Sequence, residues 1–550
     1  MVDWTGAPLS LLWPERPHAI SSLNEIVIDD LQLGRIVEAL VLHDAPPGRR
    51  SARERFARGV LSQLLSDPEV IQHRQAVLAE LSGNRMLRER LEELLPGLEA
   101  LADAPRGERY RPIAEPGLER VARRLSDLEL LVETVAGLSR ALDECAPRSD
   151  GLQSVCTALR ELRSSPEFEA LERELPRLRD TLSSVRSVIL GVNLGPDLSP
   201  QSATILELGT TPLEGRRGLL FRLLGTNSAD RGLTPLQRGE AAPLGRPNEL
   251  VRDLRHLLAE VVGPVASALD GFARVSTARL AELGAELGFL LGAARLIDRL
   301  AVADLPVCWP TCLDRTQRGA ELLDAYDLGL GLSQLEASPS MVTNPVQFGA
   351  DPARVWVLTG PNRGGKTTYT RAVGVAQVLF QVGLFVPARA AQMSPVDCIF
   401  THFPTREDSR PGLGRLDLEA ERLAAIFRQA TPDSLILLNE ALSGTSALEA
   451  LDLARGLVRG LRLLGARAIY VTHLHELASE AEEINRTTPG DARVGSLLAE
   501  ADGYQAAAPR RTYRIVPRAP RGVSFAAEIA EQHGISFSKL EQLLRDRNLT

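Results

Sequence analysis

The stretch TGPNRGGKTTY, Thr359 to Tyr369, carries the strongest chemical signal in the chain. Gly360, Pro361, Asn362, Arg363, Gly364, Gly365, Lys366 and Thr367 fit the pattern G-x-x-x-x-G-K-[ST] without a gap. The glycines let consecutive backbone N–H groups turn inward around phosphate oxygens, and a helix starting near Lys366 adds the positive end of its dipole. Lys366 reaches the β- and γ-phosphates as a charge, Thr367 offers a hydroxyl to Mg²⁺, and Thr368 completes the set. A glycine-rich turn can match by chance. Here an apolar run, Val355 to Leu358, precedes the stretch and an apolar-striped segment follows it, which is the context that a cradle for a nucleotide's phosphates requires.

Such a site needs an acidic pair at the end of another strand. SLILLNEALSGTS, Ser434 to Ser446, ends its apolar run at Leu438 and delivers Asn439 and Glu440. Glu440 is placed to orient and deprotonate an attacking water. Asn439 stands where Asp is usual; it accepts a hydrogen bond through its carbonyl oxygen but brings no negative charge, so metal binding weakens and hydrolysis slows. Thr367, Asn439 and Glu440 are the expected metal-side residues. A third run, IYVTH, ends in His473. A lone histidine at a strand end is usually structural, but after the third strand of a phosphate-binding domain it can contact and report the γ-phosphate.

These residues need a scaffold that brings three strand ends together. The runs Val355–Leu358, Ser434–Leu438 and Ala468–Val471 alternate with helical segments 366–382, 416–429 and 446–464. That alternation predicts a largely parallel sheet with helices on both faces. Upstream, residues 1–117 read as helices, for example 26–42 and 51–65. From Leu118 apolar residues fall at steps of three and four (Val121, Leu125, Leu128, Val132, Val135, Leu142), with further stripes from Leu152, Leu171 and Leu280. Such seams build long antiparallel bundles or simply core. Between 186 and 250, SVILGVNLG and SATILELG look like strands in a small tip element. The expected organisation is multidomain and all-α upstream: core 1–117, lever 118–185, tip 186–250, returning lever and core 251–337, and an α/β phosphate-binding domain 338–550.

The 550 residues, 44% hydrophobic and 24% charged, suit ordinary packed cores, and aromatics at 4% suit long helices. A net charge of −8 gives no global basic field for nucleic acid. The five cysteines form no disulfide framework, and Cys308 with Cys312 lacks a second ligand pair for zinc. No signal peptide and no membrane span are read, so a reduced cytoplasmic protein is expected. In the tip, Arg216, Arg217 and Arg222 alternate with apolar residues and can touch DNA phosphates, or face solvent.

Taken together, the motifs resemble the MutS family of DNA mismatch repair ATPases. TGPNRGGKTTY, GLFVPARAA from Gly383, DCIFTHF from Asp397, SLILLNEALSGTS, VTHLHEL from Val471 and the closing Thr512–Ser536 stretch are similar to family motifs over about 200 residues of the ATPase end. The resemblance implies an ABC-type ATPase domain that takes ATP or ADP with Mg²⁺, a helical C-terminal dimerisation segment, a homodimer burying two nucleotides, and levers linking them to a clamp on mismatched or branched double-stranded DNA. It places Met341 and Asn344 beside the nucleotide base, although 342–348 also reads as an ordinary edge strand. It aligns GRLDLE with the family's trans-acting signature, where Gly414 replaces Ser and Arg415 can substitute. Nothing upstream resembles the mismatch-reading domain, so a shortened relative is expected. Two other readings stand beside this one: a weakly hydrolysing nucleotide switch that scaffolds protein partners, and a chromosome-structuring ATPase with much longer coiled coils.

Overall fold

The computed structural model describes residues 9–14, 20–41, 47–103, 118–184, 187–194, 196, 200–209, 211, 268–269, 278–335, 341–404, 415–442, 447–502, 510–519 and 537–546. The protein is multidomain and mostly helical, with mixed sheets. It divides into two compact units. One comprises Met1–Leu9, Glu93–Glu144 and Cys156–Gly284; the other comprises Ser10–Glu92, Cys145–Val155 and Ala285–Thr550.

In the first unit lie nearly all of the long helix Leu118–Cys145 and the helix Pro166–Ser184, with Asp150–Arg163 between them in the chain. The apolar stripe explains the fold locally: Val121, Leu125, Leu128, Val135 and Leu142 are buried, as are Leu171 and Leu175. Val132 is only half-buried, and Leu131 takes its place in the core, because 3.6 residues per turn drift off a strict heptad. β3 (Ser187–Leu194) and β4 (Pro200–Gly209) pair antiparallel as the two strands read there.

The second unit holds a six-stranded sheet among the described residues, in the order β10-β11-β12-β8-β13-β14. These are β8 (Val355–Thr359), β10 (Ile399–His402), β11 (Leu435–Asn439), β12 (Arg467–Val471), β13 (Val494–Asp502) and β14 (Arg510–Pro517). β10 to β13 and β8 run parallel; β14 turns back antiparallel on β13. Both faces are covered, so β8, β11 and β12 are buried at every residue and read as continuous apolar runs. The Lys366–Val382 helix is buried nearly all round and stops at Gly383, whose φ of +83° turns the chain so that the Leu384 N–H reaches the Leu379 carbonyl at 2.9 Å.

Three elements differ from the sequence reading. The helix expected over 26–42 is two helices, Glu25–Asp30 and Leu33–Leu40, broken by Gln32 in the left-handed region. The break leaves Asp30 at a helix end, where its Oδ2 accepts from Thr401 Oγ1 at 2.7 Å and Arg422 Nη2 at 3.1 Å. The helix expected over 51–65 stops at Leu61, because β2 (Gln63–Leu65) pairs with β1 (Ile20–Ser22). Within the stretch read as returning helices, β5 (Thr311–Cys312) and β6 (Ala320–Ala325) are strands. They join β7 (Asn344–Phe348) and β9 (Ala390–Met393) in a second sheet, order β5-β9-β6-β7. Short half-buried strands such as β6 alternate too briefly to register as a period.

Candidate nucleotide site

The parallel register sets the site. Asn439 lies opposite Val471, and Val471 opposite Leu358, so β8, β11 and β12 end in one row. Ligands of open parallel sheets bind outside these carboxyl ends. From β8 the chain enters the glycine-rich turn, where Gly360 has φ +136° and Gly365 has φ +91°. A Cβ on Gly360 would stand 2.7 Å from Ala499 Cβ, and one on Gly364 would stand 2.9 Å from the Pro361 carbonyl oxygen. Arg363 holds φ +59° without being glycine. The turn is thus shaped for backbone N–H groups to approach a ligand.

Lys366 is buried, and its Nζ donates to the carbonyls of Gly360 at 2.9 Å and Pro361 at 3.0 Å. Burial pushes its pKa down to about 8, against the pull of Glu440. Next to it, Thr367 Oγ1 lies 3.4 Å from Asn439 Oδ1 and 3.3 Å from Asn439 Nδ2. This donor set is a hydroxyl and a neutral amide, which suits a hydrated Mg²⁺ brought by phosphates better than a bare ion.

Glu440 sits in the left-handed region at φ +52°, as does Leu442 at +66°. Backbone strain of this kind is held only by its surroundings. The Glu440 N–H donates to the Val471 carbonyl at 2.9 Å, locking the turn to β12. Its Oε1 lies 2.9 Å from His473 Nε2. That hydrogen bond, with help from the charges of His473 and Lys366, holds the carboxyl below its ordinary value despite partial burial. The Leu442 N–H donates to Glu419 Oε2 at 2.8 Å, tying the turn to the Arg415–Gln429 helix.

A cavity of about 550 Å³ opens beside the cradle. Arg363 to Tyr369, Glu440, Met341 and Asn344 line it, so the fold brings these predicted residues together. Asn344 opens edge strand β7, as one reading of the sequence had it, and it also lines the cavity. Pro361, Asn362, Asn439 and His473 adjoin from the turn and the strand ends. Gly414 and the tip arginines Arg216, Arg217 and Arg222 lie outside the described residues; Arg415 opens its helix, with its side chain likewise outside the description.

Sequence reasoning missed Tyr513, Tyr326 and Asp327, which also line the cavity. Tyr513 has φ +57°, and Asn344 straddles it: Nδ2 donates to the Tyr513 carbonyl at 3.0 Å, and Oδ1 accepts from Ile515 N at 2.7 Å. No local motif announces that bend.

Comparison with known proteins accords with this geometry. The family model for MutS domain V matches residues 356–501, and that for the MutS2 N-terminal domain matches residues 66–303. Over these two stretches the chain resembles the MutS family. A relative called DNA mismatch repair protein MutS 2, from Halobacterium salinarum, is 42% identical over 135 residues, 24% of this chain and 16% of the relative. DNA mismatch repair protein MutS of Granulibacter bethesdensis is 32% identical over 50% of this chain and 28% of its own length. The protein of the same name from Parasynechococcus marenigrum is 28% identical over 78% of this chain and 49% of its own. The chain therefore matches less than half the length of these curated MutS relatives. Among the described residues, no helix is long and apolar enough to cross a membrane.

Proposed function

We propose that the chain is a MutS-type ATPase. It binds ATP with Mg²⁺ in the cavity beside the glycine-rich turn and hydrolyses it slowly. It works as a homodimer that couples nucleotide state to double-stranded DNA of mismatched or branched form, in mismatch repair or a related repair process. The observation that carries the reading is the grouping of Lys366, Thr367, Asn439, Glu440 and His473 at the carboxyl ends of three adjacent strands beside that cavity. MutS proteins are ATPases that bind DNA as dimers, and the relatives' names place those proteins in mismatch repair.

In this reading the turn's N–H groups and the Lys366 ammonium hold the phosphates. Thr367 and Asn439 would hold Mg²⁺, which would neutralise phosphate charge. Glu440, ionised at neutral pH, orients the water and takes its proton. His473 fixes Glu440 and meets the γ-phosphate, so base and sensor move together. Gly414 and Arg415 act across the dimer. The segments 118–185 and 251–337 serve as levers, with Arg216, Arg217 and Arg222 meeting DNA phosphates at the tip.

The test is nucleotide binding and steady-state hydrolysis, with and without branched DNA. Lys366→Ala abolishes binding; Glu440→Gln keeps binding and lowers turnover by about 10²–10⁴-fold. Equal rates in wild type and both variants would overturn the reading. One observation favours the weakly hydrolysing switch as a second reading: the neutral amide of Asn439 stands against Thr367 where a carboxylate would attract the metal. A many-fold gain in Mg²⁺-dependent turnover in Asn439→Asp selects the switch.

A further inference from the structure

In the proposed reaction Glu440 is the base, and it stands on a turn that strains against its own shape. Glu440 and Leu442 hold φ of +52° and +66° without being glycine. In that region the Cβ crowds the backbone. A flip of the Ala441–Leu442 peptide would return Leu442 to negative φ, so the surroundings must hold that peptide in place.

Both polar groups of the peptide are held. Its carbonyl, on Ala441, accepts from Tyr470 Oη at 3.2 Å, and its N–H, on Leu442, donates to Glu419 Oε2 at 2.8 Å. Tyr470 is wholly buried. Burial, with the charge of Glu419 nearby, raises its pKa, so the hydroxyl keeps its proton and donates. Glu419 is itself braced. Arg422 follows one turn on along the same side of the Arg415–Gln429 helix. Its Nη2 donates to Asp30 Oδ2 at 3.1 Å and to the Thr401 carbonyl at 3.4 Å. Neither Glu419 nor Tyr470 lines the cavity, so any effect of theirs on turnover passes through the turn.

We propose that Glu419 and Tyr470 are positioning residues for ATP hydrolysis. By gripping the Ala441–Leu442 peptide at both ends, they hold the Glu440 carboxylate against His473 and toward the attacking water. This rests on the ATPase reading above. A base that drifts from its water loses rate steeply, while the turn after β8 and Lys366 still hold the nucleotide. The charged groups facing Glu440 are His473 and Lys366. With the peptide free to flip, the carboxyl leaves His473 and keeps its burial.

The experiment measures kcat, ATP affinity and the pH profile of kcat on the full chain with Mg²⁺. The variants are Glu419→Ala, Glu419→Gln and Tyr470→Phe, which removes a single oxygen. Leu461→Ala, a buried core position on the Ala447–Leu464 helix, is the destabilised control. Glu419→Ala and Tyr470→Phe lower kcat by about tenfold or more, part of what a positioned base contributes, and leave ATP affinity unchanged. Their acid limb moves to higher pH, because the hydrogen bond from His473 no longer holds the Glu440 carboxyl down. Glu419→Gln keeps an acceptor oxygen for the Leu442 N–H and recovers most of the lost turnover. Leu461→Ala lowers the melting temperature and produces neither change. If Glu419→Ala and Tyr470→Phe only lower the melting temperature, with kcat and the acid limb in place, the inference falls and the ATPase reading stands. It falls equally if Leu461→Ala reproduces their kinetics. No hydrolysis by the wild type overturns the reading and this inference together.

Discussion

Lys366 spends its charge on two carbonyls of its own turn, and its lowered pKa has consequences. Folding moves the group from 10.5 to about 8, so its buried charge opposes folding below pH 8, and that opposition is relieved as pH rises toward 10.5. A triphosphate restores the proton. Nucleotide binding at pH 8.5–9 should therefore take up a fraction of a proton, measured by calorimetry in buffers of different ionisation enthalpy; no uptake contradicts the assignment. Glu440 has the opposite sign. Its carboxyl is held below 4.5, so its contribution to stability is present above that value and is lost as pH falls through the lowered one. His473→Ala removes the main cause and leaves burial, so the acid limb of the ATPase pH profile moves to higher pH. An unmoved limb would mean that another group titrates. Asn439→Asp places a carboxylate at a position only 3% exposed. Without metal it should cost about 1–3 kcal/mol. Mg²⁺ with nucleotide should then raise the melting temperature more in the variant than in wild type.

At the scale of elements, the helix from Lys366 is the piece on which the site depends, and it sits close to its neighbours. A Cβ on Gly374 would lie 2.5 Å from Leu31 Cδ2 and 2.9 Å from Leu437 Cδ1. Gly374→Val should therefore cost about 1–3 kcal/mol in denaturant unfolding, although glycine itself is a poor helix former. Such a helix was legible in full: 366–382 was read from its stripe and matches Lys366–Val382. The site strands were legible to within a residue, because strands buried on both faces are apolar throughout. The break at Gln32 and strands β1, β2, β5 and β6 were not, since each is fixed by a partner remote in the chain and not by its own period.

At the scale of the molecule, charge and partition decide what can be expected. With a net charge of −8, any DNA contact must be local, and therefore steep in salt. Replacing Arg216, Arg217 and Arg222 together by Ala should flatten the slope of log K against log salt by up to about 3 and leave nucleotide binding intact. An unchanged slope removes these arginines from the proposed interface.

The amino-acid sequence by itself determined the glycine-rich turn after β8, the Asn439–Glu440 pair, the strand ends that carry them and the resemblance to MutS. Each is written in contiguous residues whose spacing is imposed by backbone geometry. Only the tertiary structure decided that His473 grips Glu440, that Glu419 ties the Arg415–Gln429 helix to the turn after β11, and that Tyr513 bends into a left-handed conformation held by Asn344. It also decided that Tyr326, Asp327 and Gln334 share a wall with the cradle. These are meetings of residues remote in the chain, and a period of two or of 3.6 says nothing about which neighbour a side chain will find.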